Sequence, residues 1–297
     1  MEVTEFKYLN RFNDTLIGNK WLIDSNYLKG IVIIVTGMNE YSLRYNEFAL
    51  FLNRANYLVY SLDHYGQYKN GTLGYPSKDY FYKMSETLDS LIIDLKKKYN
   101  LPVYIFSHSM GSFITQKLIE DHSEDLDKVI LCGSSYDKYL YKVANILATL
   151  IVNKFNEAKP SKLLYKLSIG SYNKKFKKEG KSAWLSTDLE SNKKYNLDKY
   201  CNYLDSNRFY KEFFKGLSSL YKKDKLERIN KNIKILLIGG KDDPVSNFSK
   251  NLEKLDNLYR KYHLNSRLII YKNKRHELLN ELNNLEVYND ILNFYEE

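Results

Sequence analysis

The run I-V-I-I-V at residues 31–35 is β-branched and apolar throughout, and it stops abruptly at Thr36-Gly37. A strand with one wet face alternates apolar and polar residues, whereas a run without alternation belongs in a sheet covered on both faces. Parallel strands covered in this way need crossover helices, so this segment commits the chain to strand–helix alternation. The rest of the chain follows that rule. Strands are expected at 57–62 (Y-L-V-Y-S-L), 103–106, 128–132 (K-V-I-L-C), 233–238 (I-K-I-L-L-I) and 267–271. Between them apolar residues recur at helical spacing, most clearly Phe81, Met84, Leu88, Leu91, Ile92 and Leu95 in the stretch 79–98. Further helices are expected at 42–55 with Ser42 as its cap, at 110–120, at 247–262 and at the C-terminus. Two strands at 4–9 and 15–23 precede the apolar run and bring the number to eight. The expected fold class is α/β, a mostly parallel eight-stranded sheet flanked by helices.

Residues 136–223 break the rhythm and read as a helical insertion, dividing a core of 1–135 and 224–297. Residues 138–223 hold 19 Lys or Arg against 7 Asp or Glu, while the remainder holds 27 against 29. The whole basic excess therefore sits in the insertion. Two readings stand side by side. One is compositional, because Lys, Asn, Tyr and Ile are abundant throughout; the other is a basic surface facing an anionic partner, lipid headgroups or nucleic acid. No nucleic-acid recognition module accompanies the charge, so no nucleic acid is expected as a partner. A hydrophobic content of 43% excludes a disordered chain. The longest apolar run, around 143–152, is broken by Asn145 and Thr149 and is too short to span a bilayer. The first residues show no apolar leader, and Cys132 and Cys201 offer neither a disulfide framework nor metal-ligand spacing. A soluble cytoplasmic protein is expected, with no metal or cofactor, and with peripheral membrane contact if the basic insertion meets a membrane.

Between the strand ending at 106 and the next helix stands S-H-S-M-G-S, residues 107–112. A strand turning sharply into a helix pushes the turn residue out at the sheet edge and aims the first helical N–H groups at whatever binds there. Ser109 holds the nucleophile position and Gly111 the small position beyond it. Ser107 stands where a first glycine is usual, and is small enough for the turn to form. A serine hydroxyl needs a positioned base, and the base an orienting carboxylate. G-G-K-D-D-P-V at 239–245 follows a strand and offers Asp243, with Asp242 expected to face solvent. N-K-R-H-E-L-L-N-E at 273–281 follows the next strand and offers His276. The other histidines fit less well: His108 is expected to point away from the serine's partner, and His64 precedes Ser109 in the chain. Oxyanion donors are expected at the backbone N–H of Met110 and, from the loop after 35, of Met38.

These segments resemble the α/β-hydrolase lipases of the monoacylglycerol lipase and lysophospholipase type. Gly37, Glu40, Ser42, Arg44 and Tyr45 match that family's loop after the apolar strand, as do D-H-Y-G at 63–66, S-H-S-M-G, D-P-V and R-H-E-L-L-N-E. W-L-S-T-D at 184–188 resembles a lid sequence of bacterial members. Thr36 departs from the family by replacing a histidine, as Ser107 does by replacing a glycine. The resemblance implies an α/β-hydrolase fold with residues 136–223 as a lid, and a serine ester hydrolase of monoacyl lipids, monoacylglycerol or lysophospholipid, working through an acyl-enzyme. A serine aminopeptidase or a general short-chain carboxylesterase of the same fold is the alternative. The excess length between Ser109 and Asp243 falls in the insertion, which opens with Val143, Ile146, Leu147, Leu150, Ile151 and Phe155 at helical spacing. It continues with Lys174, Lys175, Lys177 and Lys178 and the aromatics Trp184, Phe213 and Phe214. Leu147, Ile151 and Trp184 are the expected substrate and lid contacts. The apolar face either lies against an anionic membrane or packs on the core.

Overall fold

The computed structural model describes residues 2–297. In chain order the core elements are β1 (Glu2–Leu9), β2 (Thr15–Leu22), β3 (Gly30–Val35), α1 (Asn46–Arg54), β4 (Tyr57–Leu62), α2 (Tyr80–Tyr99), β5 (Val103–His108), α3 (Met110–Asp121) and β6 (Lys128–Cys132). Five helices follow before the next strand: α4 (Lys138–Ile151), α5 (Lys162–Leu167), α6 (Leu189–Leu197), α7 (Asn207–Ser219) and α8 (Lys223–Arg228). The chain then completes the sheet with β7 (Lys234–Gly240), α9 (Lys250–Lys261), β8 (Asn265–Tyr271) and α10 (Leu285–Glu296).

All eight strands form one sheet in the order β1-β2-β4-β3-β5-β6-β7-β8. The β1–β2 and β2–β4 pairs are antiparallel, and every pair from β4 to β8 is parallel. The α/β-hydrolase architecture expected from the sequence is the one present. Its central strands are buried on both faces, as the unbroken apolar runs require. Successive residues part company across the sheet: Ile31, Ile33 and Val35 join α2, α3 and α9, while Val32 and Ile34 join α1 and α10. Helices α4 and α7 pair with each other and add Tyr141, Ala148, Phe209 and Leu217 to the first of these cores.

One local expectation fails. Ser42 opens a short 3-10 turn, Ser42–Tyr45, rather than capping α1, whose N-cap is Tyr45. The Ser42 backbone N–H and hydroxyl both donate to the buried carboxylate of Asp63 at the end of β4, 2.6 and 3.0 Å away. A long-range acceptor has taken the serine that a helix start would use.

Candidate active site

The parallel strands present their C-terminal ends at one edge, where ligands of such sheets bind. At the end of β5 the chain reverses through Ser109, whose φ of 50° and ψ of −119° lie where side chains are rarely tolerated. The backbone is held there from both sides. Ser109 N–H donates to the Cys132 carbonyl at 2.9 Å, and its carbonyl accepts from Ser112 N–H at 2.9 Å. Gly111 lets α3 run against β3, because a Cβ there would lie 2.3 Å from the Val35 carbonyl oxygen. Ser107 donates its hydroxyl to the Ile130 carbonyl at 2.8 Å, so the residue in the usual glycine position is buried and satisfied.

Ser109, Asp243 and His276 meet at this edge although they come from three separate loops. His276 Nε2 lies 2.9 Å from Ser109 Oγ, and Nδ1 lies 3.1 Å from Asp243 Oδ2. A carboxylate only accepts, so Nδ1 carries the proton and Nε2 is left to accept the serine hydroxyl. Asp243 is fully buried, and its other oxygen accepts from Val245 N–H at 2.8 Å. The imidazole sits over Gly133, whose φ is +59° and whose Cβ, if present, would be 3.0 Å from two ring atoms. The Trp184 ring covers His276 with centroids 5.1 Å apart. Asp242 does not simply face solvent: it is half-buried and paired with Lys175 at 2.7 Å.

Met110 is the first residue of α3, so its N–H has no partner within the helix. Met38 lies across from it in the loop after β3, and both border the same cavity as Ser109. That loop is fixed by Gln67, which accepts from Asn39 N–H and donates to the carbonyls of Gly37 and Glu40. Beneath it His64 lies 2.8 Å from the Thr36 carbonyl, and burial lowers its pKa to about 4, so it is neutral.

His108 does not point away from His276. Its ring packs 4.7 Å from the His276 ring, with Nδ1 2.6 Å from Glu40 and Nε2 3.3 Å from the His276 carbonyl. Both ring nitrogens face acceptors, the pattern of an imidazolium. Burial works against that charge, but the Glu40 carboxylate outweighs it and raises the His108 pKa. Burial alone would raise the Glu40 pKa; the charge of His108, then Arg44 and the Tyr45 hydroxyl, bring it down to about 2. Arg44 also grips Glu277 with both terminal nitrogens, at 3.0 and 2.8 Å. The result is a buried chain Glu277–Arg44–Glu40–His108 behind His276. Its members were visible as matching motif letters, but no spacing showed that they pair.

A cavity of about 360 Å³ opens beside Ser109. Phe113, Phe213, Phe214 and Leu217 form one wall, and Trp184 borders it as expected. Leu147 and Ile151 do not: α4 turns Leu140, Tyr141 and Ala144 to the cavity, leaves Leu147 45% exposed, and rests Ile151 against the core. The segment 184–188 instead clasps the loop that carries His276. Glu277 N–H donates to the Leu185 carbonyl at 2.7 Å, Ser186 donates to the Asn280 carbonyl at 2.8 Å, and Glu281 accepts from Thr187 N–H at 2.8 Å. Arg275 adds a bond to the Ala183 carbonyl at 2.6 Å.

Among solved structures, a thermostable carboxyl esterase from Bacillus coagulans superposes with a TM-score of 0.90 at 22% identity, covering 100% of this chain and 98% of that one. A soluble variant of monoglyceride lipase from Saccharomyces cerevisiae gives 0.79 at 19% identity, covering 99% and 96%. The monoacylglycerol lipase of Paleococcus ferrophilus gives 0.68 at 18%, covering 99% and 98%. Comparison with curated protein sequences gives no significant match. Residues 27–283, a span that holds Met38, Ser109, Met110, Asp243 and His276, match the profile of the family described as serine aminopeptidase, S33, and the chain belongs to that family of α/β hydrolases.

Proposed function

We propose that the protein is a serine ester hydrolase of monoacyl lipids, working through an acyl-enzyme. The observation that carries this reading is the Ser109–His276–Asp243 relay at the mouth of an aromatic-walled cavity. In the proposed reaction His276 takes the Ser109 proton as Oγ attacks the ester carbonyl. The N–H groups of Met38 and Met110 hold the developing oxyanion, and His276 returns the proton to the departing alcohol. Water, activated by the same imidazole, then releases the acid. Long acyl chains suit the wall of Phe113, Phe213, Phe214 and Leu217.

The family's aminopeptidase description makes an amine-bearing substrate the second reading, and the acids around the cavity argue against it. Glu40 and Glu277 are already neutralised by Arg44 and His108, and Asp137 is engaged in capping α4. Burial pushes Asp205 well above the usual carboxylate range. None of Glu40, Glu277 and Asp205 offers an unpaired negative charge to an ammonium group, and the Asp137 carboxylate is drawn to the N-terminus of α4. Fluorophosphonate labelling followed by a chain-length series of esters, run beside an aminoacyl amide, tests the reading. Preference for the amide would replace it with the aminopeptidase.

We take residues 136–223 as a lid through which lipid reaches Ser109, over a core of 1–135 and 224–297. Ile146, Leu147, Leu150 and Phe155 are all exposed, the last two at 77% and 80%. Lys174, Lys177 and Lys178 are exposed as well, whereas Lys175 is tied to Asp242. Exposed apolar side chains on and after α4, with unpaired lysines elsewhere in the same insertion, support contact with an anionic lipid surface. Each lysine near such a surface is worth about 1 kcal/mol. Lys174→Gln, Lys177→Gln and Lys178→Gln together are therefore expected to weaken binding to anionic vesicles, most at low salt. Leu147→Asp with Leu150→Asp is expected to cut hydrolysis of a long-chain ester in vesicles about tenfold, with a soluble short-chain ester changed about twofold at most. Equal losses on both substrates would remove the lid from this role.

A further inference from the structure

Behind the turn at Ser109 runs a chain of buried hydroxyls and one amide, drawn from α3, α9 and the loops after β6 and α7. Ser112, in the first turn of α3, donates its hydroxyl to the Ser109 carbonyl at 2.6 Å, and its Oγ lies 2.8 Å from Ser134 Oγ. Gln116, one turn further along α3, donates its amide to Ser134 at 2.9 Å. Its amide oxygen accepts from the Tyr221 hydroxyl at 2.8 Å and the Tyr259 hydroxyl at 3.2 Å. All five side chains belong to residues at most 2% exposed. The direction of every bond follows from the first. A carbonyl only accepts, so the Ser112 proton belongs to Ser109, and Ser134 must donate to Ser112. Gln116 must then present its N–H₂ to Ser134, which leaves its oxygen for the two tyrosines. Tyr221 also faces the Ser135 carbonyl, but at 3.3 Å, so its proton goes to the nearer Gln116 oxygen. Its backbone is pinned, with the N–H on Glu120 at 2.8 Å and the carbonyl accepting from Lys138 Nζ at 2.7 Å.

The Ser109 carbonyl and the Met110 N–H belong to one planar peptide group and point in opposite directions. Whatever holds the carbonyl therefore aims the N–H, and drawing electron density onto the carbonyl oxygen makes the N–H a stronger donor. Here the carbonyl accepts twice from Ser112, from its N–H at 2.9 Å and its hydroxyl at 2.6 Å. We propose that Ser112, Ser134 and Gln116, with Tyr221 and Tyr259 at the head of the chain, are positioning residues that aim and polarise the Met110 N–H toward the oxyanion. This rests on the ester-hydrolase reading above. The bonds run head to tail from the tyrosines to the Ser109 carbonyl, and bonds aligned in this way strengthen one another by roughly 10–30% each. Loss of an oxyanion donor itself costs about 10²–10³-fold in kcat. Breaking the chain leaves the donor in place, so its cost is smaller.

The test measures kcat and KM for ethyl decanoate, per site titrated to completion with fluorophosphonate, beside the affinities of two ketones of matched chain. Decyl trifluoromethyl ketone takes Ser109 Oγ onto its carbonyl carbon, the serine proton passing to His276 and the negative charge to the ketone oxygen. Decyl methyl ketone binds without adding. Ser112→Ala is expected to lower kcat about tenfold, Gln116→Met about fivefold, and Tyr221→Phe with Tyr259→Phe about threefold, with KM changed less than about twofold. The trifluoromethyl ketone should bind more weakly by the same factor in each variant, and the methyl ketone as in wild type. The tyrosine pair loses only two oxygens and keeps its rings, so it carries the test if Gln116→Met fails to fold. A fall in kcat that leaves both ketones unmoved, or weakens both alike, would mean that the chain serves packing alone, and overturns the inference. Unchanged kcat in Ser112→Ala and in the tyrosine pair also overturns it, and in both cases ester hydrolysis by wild type keeps the ester-hydrolase reading. Wild type that is labelled but hydrolyses no ester overturns that reading and this inference with it.

Discussion

Ser109→Ala is expected to abolish fluorophosphonate labelling and to lower kcat for any ester by on the order of 10⁵–10⁶-fold. The hydroxyl is the only atom removed, and it packs against little besides His276 Nε2. The turn itself is maintained by backbone bonds to Cys132 and Ser112, so the variant should fold and melt as the parent does. His276→Ala is expected to fall nearly as far, since the remaining two groups cannot transfer the serine proton by themselves. Ester turnover within a hundredfold of wild type in either purified variant would show that the reaction runs elsewhere.

Asp243→Asn is expected to cost about 10³–10⁴-fold in kcat, with substrate binding little changed. Asparagine can present its N–H₂ to His276 Nδ1, which then accepts, and the ring proton moves to Nε2, where it blocks the serine. The neighbouring carboxylate provides the internal control. Asp242 bonds Lys175, so Asp242→Asn should lower activity about twofold at most. Kinetics of the two variants measured together decide the assignment. A larger loss in Asp242→Asn would place the relay through the wrong residue.

What could be foreseen from the amino-acid order divides along physical lines. Strands β3 to β7 were legible because strands covered on both faces need uninterrupted apolar runs, and the half-buried edge strand β8 by its short apolar stretch at 268–271. Ser109, Asp243 and His276 could be located because each follows such a run directly, and one sheet edge gathers the ends of parallel strands. Periodicity could not decide which apolar positions of α4 would be covered. Leu147 and Ile151 are equivalent by spacing, yet α7 and the core claim one side of the helix and leave Leu147 outside. Ser42 was misread because a capping preference is local, while the Asp63 carboxylate that captures it comes from another strand. The pairing of Arg44 with Glu277 spans 233 positions, and nothing in spacing reveals which acid an arginine will meet. Asp205 gave no signal at all, being one acid among many until folding enclosed it.

Two buried histidines beside the candidate site, His64 and His108, hold opposite protonation states, and this sets bounds on the pH range in which the fold is firm. His64 has its pKa lowered to about 4, so below its ordinary value near 6.5 the unfolded chain takes up a proton that the native protein refuses. Its contribution is complete above pH 6.5 and drains away as pH falls toward 4. His108 behaves in reverse. With its pKa raised by Glu40, its contribution is complete below 6.5 and is lost as pH climbs through the folded value. Denaturant unfolding across pH is expected to show His64→Gln losing part of the decline that wild type has between pH 6.5 and 4, and His108→Gln losing part of the alkaline-side decline. Parallel profiles for wild type and both variants would contradict these charge assignments. Since the two residues brace the loop of Met38 and the loop of His276 respectively, acid should slacken one half of the proposed catalytic apparatus and alkali the other.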